Sequence, residues 1–128
     1  MRRILIDTHV LLWWLKDDDN LGISAGQLID DESNAIYVSA VTSWEIAIKR
    51  NKGLLKVPED IDSVIGSAAL SKLPISVFHG QKAGTLPEHH RDPFDRMLIA
   101  QAQAEGLELM TADSAFPAYG IKLIDARQ

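Results

Sequence analysis

The chain of 128 residues contains no cysteine. That excludes disulfides, thiolate zinc sites and a cysteine nucleophile together. It also lacks a long apolar run. The longest stretch, Val10 to Leu15, is six residues and ends in Lys16 and three aspartates, whereas a membrane-spanning helix needs about 20. Arg2 and Arg3 precede Ile4, Leu5 and Ile6 in the manner of a secretion signal, but Asp7 and His9 interrupt that stretch and no small-residue cleavage site follows. A soluble, intracellular, cytoplasmic protein without a membrane partner is the expectation. Repeats, low-complexity tracts and linkers are absent too, so residues 1–128 read as one domain. The 46% hydrophobic and 24% charged composition is that of a chain able to bury a core.

Basic residues are outnumbered, and the net charge of −5 at first argues against a nucleic-acid partner. Placement weakens that argument. Asp17, Asp18 and Asp19 form one acidic run and Asp30, Asp31 and Glu32 another, both expected at solvated loop ends. Lys49, Arg50, Lys52 and Lys56 fall within eight positions; contact with phosphate and a solvated helix face explain them equally well.

Five β-rich segments punctuate the chain: Ile4–Ile6, Ala35–Val38, Ile75–Phe78, Glu108–Met110 and Ile121–Ile124. Helical spacing lies between them. Val10, Leu11 and Trp14 recur at one turn, as do Val41, Trp44 and Ile48, then Ile61, Val64, Ile65 and Ala68, and most clearly Phe94, Met97, Leu98 and Ala102. Strands alternating with helices predict an α/β fold with a mostly parallel sheet of four to five strands and helices on both faces. Right-handed crossovers align the strand carboxyl ends along one edge, where ligand sites of such sheets form.

Four acids fall at those junctions. Asp7 follows Ile4–Ile6, Glu45 lies early in the helix after Ala35–Val38, Asp95 lies in the first turn of the helix opened by Pro93, and Asp113 follows Glu108–Met110. Each has a plain structural explanation. Asp7 suits a helix cap, Thr42-Ser43-Trp44-Glu45 fits a capping box, Asp92 an N-cap before Pro93, Asp95 the positive end of a helix dipole, and Asp113 a turn. As a set they ask for more. Asp95 shares its helix face with Leu98, Ile99 and Ala102, and Glu45 borders the stripe of Val41 and Ile48. Inward carboxylates are costly without a partner, and no lysine or arginine stands out as a partner for all four. Carboxylates converging on one cleft suit a hard divalent cation such as Mg²⁺. Two such ions would clamp a phosphodiester, activate water and stabilise the leaving oxygen.

These residues sit in motifs. Ile4-Leu5-Ile6-Asp7-Thr8-His9-Val10-Leu11-Leu12-Trp13-Trp14-Leu15 resembles the opening of PIN-domain proteins of the VapC-like toxin group. Ser43-Trp44-Glu45-Ile46 resembles their second motif, Asp92-Pro93-Phe94-Asp95-Arg96-Met97-Leu98-Ile99-Ala100-Gln101-Ala102 their third, and Thr111-Ala112-Asp113 their fourth. The resemblance implies a three-layer α/β/α PIN-like domain, a Mg²⁺- or Mn²⁺-dependent endoribonuclease acting on RNA, a homodimer, and inhibition by a cognate antitoxin. It makes Asp7, Glu45, Asp95 and Asp113 the metal-binding and catalytic quartet, with supporting places for Thr111, Asp92 and Arg96.

Other residues are weighed against plainer roles. His89 and His90 read as an exposed loop pair, since zinc requires a fuller ligand set. His9 reads as a packing or hydrogen-bonding residue. Trp13, Trp14 and Trp44, at helical spacing, read as core or interface, and the tryptophan pair marks a candidate dimer or antitoxin surface. Two other functions fit the fold class: a phosphoacceptor receiver-like signalling domain, and a catalytically silent PIN module that binds RNA or protein. The first requires an aspartate after a central strand and a lysine after a later one, a pair not found here.

Overall fold

The computed structural model describes residues 1–57, 60–88, 92–113 and 119–128; His89 and His90 lie outside them. In chain order the elements are β1 (Arg3–Ile6), α1 (Thr8–Leu15), α2 (Ile23–Asp30), β2 (Ala35–Ser39), α3 (Ala40–Asn51), α4 (Ile61–Ser67), β3 (Ser71–Leu73), α5 (Val77–Thr85), α6 (Pro93–Glu105), β4 (Glu108–Thr111) and β5 (Leu123–Asp125). The five strands form one sheet in the order β3-β2-β1-β4-β5, and every pairing is parallel. This is the expected three-layer α/β/α architecture. Among the described residues no helix is long and apolar enough to cross a membrane.

The layers follow from strand alternation. Ile4, Ile6, Ile36, Val38 and Met110 point to one face, where they pack with Val10, Leu11, Ile29 and Ile65 of α1, α2 and α4. Leu5 and Leu109 point to the other, against Leu98, Ile99 and Ala102 of α6. Each large apolar side chain buried this way contributes about 1.5–3 kcal/mol. β1 lies between β2 and β4, and the chain leaves it toward β2 on one side and reaches β4 on the other. The crevice at its carboxyl end is therefore the topological switch point of the sheet.

Two segments depart from the sequence reading. The strand expected at Ile75–Phe78 is instead the start of α5: Ser76 caps it, accepting the His79 N–H at 3.0 Å, while His79 Nδ1 accepts the Ser76 N–H at 3.0 Å. Its neighbouring strand, β3, is Ser71–Leu73, a short edge segment without apolar alternation. The last strand starts two residues later than expected, at Leu123. The helix α2, for which no periodic stripe was visible, buries only Ala25 and Ile29.

Candidate active site

Asp7 is placed by the step from β1 into α1. Its backbone N–H extends the sheet by donating to the Met110 carbonyl at 3.2 Å. Its Oδ1 accepts the Val10 N–H at 2.9 Å, capping α1. The capping role is therefore real, and the carboxylate is 6% exposed. Thr111, buried at the end of β4, stands beside two acids: its hydroxyl accepts the Asp113 N–H at 3.0 Å and favours the charged form of Asp7. Burial raises the Asp7 pKa above the usual carboxylate value. Hydrogen bonds from Thr111 and Val10 and the nearby His9 oppose that rise, and the Asp113 charge adds to it.

Glu45 comes from α3, but not through a capping box. Ser39 caps that helix, its hydroxyl accepting the Val41 N–H at 3.0 Å, which puts Glu45 in the second turn. It is buried and held at both oxygens. Thr8 Oγ1 donates to Oε1 at 2.7 Å, and Lys49 Nζ donates to Oε2 at 2.8 Å. Asp92 caps α6, accepting the Phe94 N–H at 2.8 Å and the Asp95 N–H at 3.3 Å. Pro93 occupies the first turn as expected.

The four acids share one cavity. Asp7, Glu45, Asp95 and Asp113 line one cavity of about 290 Å³, together with Asp92. Arg96 does not join them. Its guanidinium donates to the carbonyls of Ala83 and Leu86, each at 2.8 Å, and of Pro87 at 3.0 Å, tying the end of α5 to α6. Trp13 and Trp14 pack against the first core, but Trp44 is 60% exposed and meets Phe94 edge-on at 5.2 Å. His9 is exposed on the cavity wall rather than packed inside.

Four residues not foreseen in this role line the same cavity: Thr8, Trp13, Ala112 and Arg127. Lys49, from the basic group for which phosphate contact and a solvated helix face were equally open, lines it too; the Glu45–Lys49 spacing of four residues on a helix signals the pair it forms. Nothing local in the sequence signals Arg127.

A metal ion is implied by the motifs, and the donor set suits one. The four acids offer hard carboxylate oxygen, the Thr111 hydroxyl lies beside two of them, and Asp7 is a buried carboxylate beside a second negative charge. That chemistry matches Mg²⁺ or Mn²⁺ rather than a softer ion. Among the described residues, though, no three acidic or histidine side chains gather closely enough around one point to hold an ion, and Glu45 is turned to Lys49.

A parallel three-layer sheet with an acidic cavity at its switch point is the arrangement of the PIN domain, and the sequence matches that family over residues 4–122. The chain belongs to the PIN domain family, which sets aside the receiver-like alternative. It is 27% identical over 116 residues to Ribonuclease VapC22 of Mycobacterium tuberculosis, covering 88% of each chain. Its fold is similar to that of DNA-bound VapBC from Salmonella typhimurium, with a TM-score of 0.71, 19% identity and 98% of both chains covered. It is also similar to FitAcB from Neisseria gonorrhoeae, with a TM-score of 0.61, 19% identity, and 96% of this chain and 97% of that chain covered.

Proposed function

We propose that this protein is a divalent-metal-dependent endoribonuclease that acts as the toxin of a toxin–antitoxin pair. The observation that carries the reading is the convergence of Asp7, Glu45, Asp95 and Asp113, from four separate elements, on one cavity. The similarity to a curated ribonuclease supports the reaction class, and the similarity to toxin–antitoxin complexes supports a protein inhibitor.

Asp7, Glu45, Asp95 and Asp113 would hold Mg²⁺ or Mn²⁺. When bound, the ion supplies Lewis-acid activation of water and stabilisation of charge on a phosphodiester. The chain's own residues prepare for it. Thr111 orients the Asp7 carboxylate and the Asp113 backbone. Thr8 fixes one oxygen of Glu45, leaving the other to exchange Lys49 for the ion. The antitoxin would answer the same charges with a basic side chain, an arginine fork being well matched to carboxylates.

The test is cleavage of single-stranded RNA by protein stripped with EDTA, then resupplied with Mg²⁺ or Mn²⁺. Activity is expected only with metal. Asp95→Asn should abolish it, and Thr111→Val, which removes a supporting hydroxyl, should cost about 10–100-fold. Full activity in EDTA, or in Asp95→Asn, would refute the metal-dependent reading. A silent binding module is favoured by one observation, the Lys49–Glu45 pair; RNA binding without cleavage under any metal would establish it instead.

A further inference from the structure

Beyond the acids, the cavity has one wall with a different chemistry. We propose that Arg127, held against the face of Trp13, is a substrate-positioning residue that grips an RNA phosphate next to the bond to be cut. This deepens the ribonuclease reading and rests on it.

The segment carrying Arg127 is built in, not draped on. After β5, the Ala126 N–H donates to the Thr111 carbonyl at 3.0 Å, the Gly22 N–H donates to the Ala126 carbonyl at 2.9 Å, and the Ser24 N–H donates to the Gln128 carbonyl at 2.7 Å. Ala126 is fully buried. The close approach depends on Gly22, where a Cβ would fall 2.1 Å from the Gln128 carbonyl carbon. A further bond, from the Arg127 N–H to Asp125 Oδ1 at 2.9 Å, sets the direction in which the side chain leaves. Thr111 anchors this segment through its carbonyl and the acids through its hydroxyl, so Arg127 and the acidic site share one support.

The guanidinium carbon lies 5.4 Å from the centre of the Trp13 ring, and both side chains line the acidic cavity. An arginine beside several carboxylates would ordinarily pair with one of them. Here, among the described residues, the guanidinium makes neither an ion pair nor a hydrogen bond. The guanidinium lies over the indole, within cation–π range, and its five N–H donors are left for another acceptor. Among the described residues that line the cavity, Lys49 is the other basic side chain besides Arg127 and the His9 imidazole, and it pairs with Glu45 at 2.8 Å. Arg127 therefore offers a planar donor edge within a cavity whose acids favour cations, the combination an anionic backbone needs in order to approach.

The experiment compares wild type with Arg127→Gln, Arg127→Lys and Trp13→Leu. It uses cleavage of a 12-nucleotide single-stranded RNA in Mn²⁺, and binding of the same labelled RNA in an Asp95→Asn background across a salt series. Arg127→Gln is expected to raise KM about tenfold with little change in kcat. It should also make the slope of log Kd against log salt shallower by about 0.7, the signature of one lost phosphate contact on a single strand. Arg127→Lys should restore the slope while recovering only part of KM, because a lysine does not stack as a planar fork. Trp13→Leu should raise KM in the same direction. Wild-type KM and salt slope in Arg127→Gln would overturn the assignment while leaving the ribonuclease reading intact. So would a loss confined to kcat and accompanied by a lower Tm, which marks a structural role. Unchanged RNA binding with lost binding of the inhibitor protein would give the residue to that partner and overturn the proposal. A wild type that neither binds nor cuts RNA would remove both.

Discussion

Asp7 carries two duties that pull against each other. Its side chain caps α1, which favours the fold, yet its carboxylate is buried beside Asp113 and its pKa is raised, which opposes the fold once the group ionises. The sign follows from linkage. A carboxyl whose folded pKa lies above its unfolded value penalises the native state as pH climbs from about 3.8, its ordinary value, through the raised one, and fully above it. Asparagine keeps an oxygen for the Val10 N–H and removes the charge. Asp7→Asn should therefore raise the Tm of the metal-free protein at neutral pH while abolishing cleavage, and the gain should vanish in acid below that value. Thermal melts in EDTA across pH decide it; a lower Tm at pH 7 would show that capping outweighs charge.

At the scale of elements, the segment around α5 shows how an apolar run misleads. Ile75-Ser76-Val77-Phe78 has the composition of a strand, but Val77 is 92% exposed and Phe78 60%. What decides the conformation is the reciprocal bonding of Ser76 and His79, with the buried imidazole also 3.0 Å from Glu105 of α6. Because Nδ1 accepts the Ser76 N–H, a neutral ring carries its proton on Nε2 and donates it to Glu105. Ser76→Ala should cost about 0.5–2 kcal/mol, the usual effect of losing a helix cap, measured by urea denaturation. A stability equal to wild type would mean that packing of Ala83 and the Arg96 clamp alone hold α5. By contrast the start of α6 was legible, with Asp92 capping it and Pro93 opening it, while Gly106 closes it in the left-handed region at φ 65°.

The molecule as a whole presents two contrasting surfaces. One is the acidic cavity. The other is an apolar groove of about 400 Å³ lined by Val41, Trp44, Ile75, Phe94 and Met97 among others, with exposed Val77 and Phe78 next to Ile75 in the chain. Apolar surface of this kind, exposed rather than scattered, suits association, and it supports the homodimer proposed from the motifs. Trp44→Glu or Phe78→Glu should shift sedimentation from dimer to monomer and leave the fold's circular dichroism unchanged. A wild type that sediments as a monomer at all concentrations would leave the groove without that role.

The four acids near element junctions, the places of α1, α3 and α6, and a mostly parallel sheet were all readable from the residues, because periodicity, caps and breakers are local and act over a few residues. The sequence also carried the order of the four motifs that mark the PIN domain. The pairing of Lys49 with Glu45, the bonds from Arg96 to the end of α5 and the approach of Arg127 to Trp13 come from the assembled fold. The reason is physical. Parallel crossovers bring Asp7 beside Thr111 and Trp13 beside Arg127 from opposite ends of the chain. Such contacts are set by sheet order and by the close approach that Gly22 permits, and no local pattern encodes either.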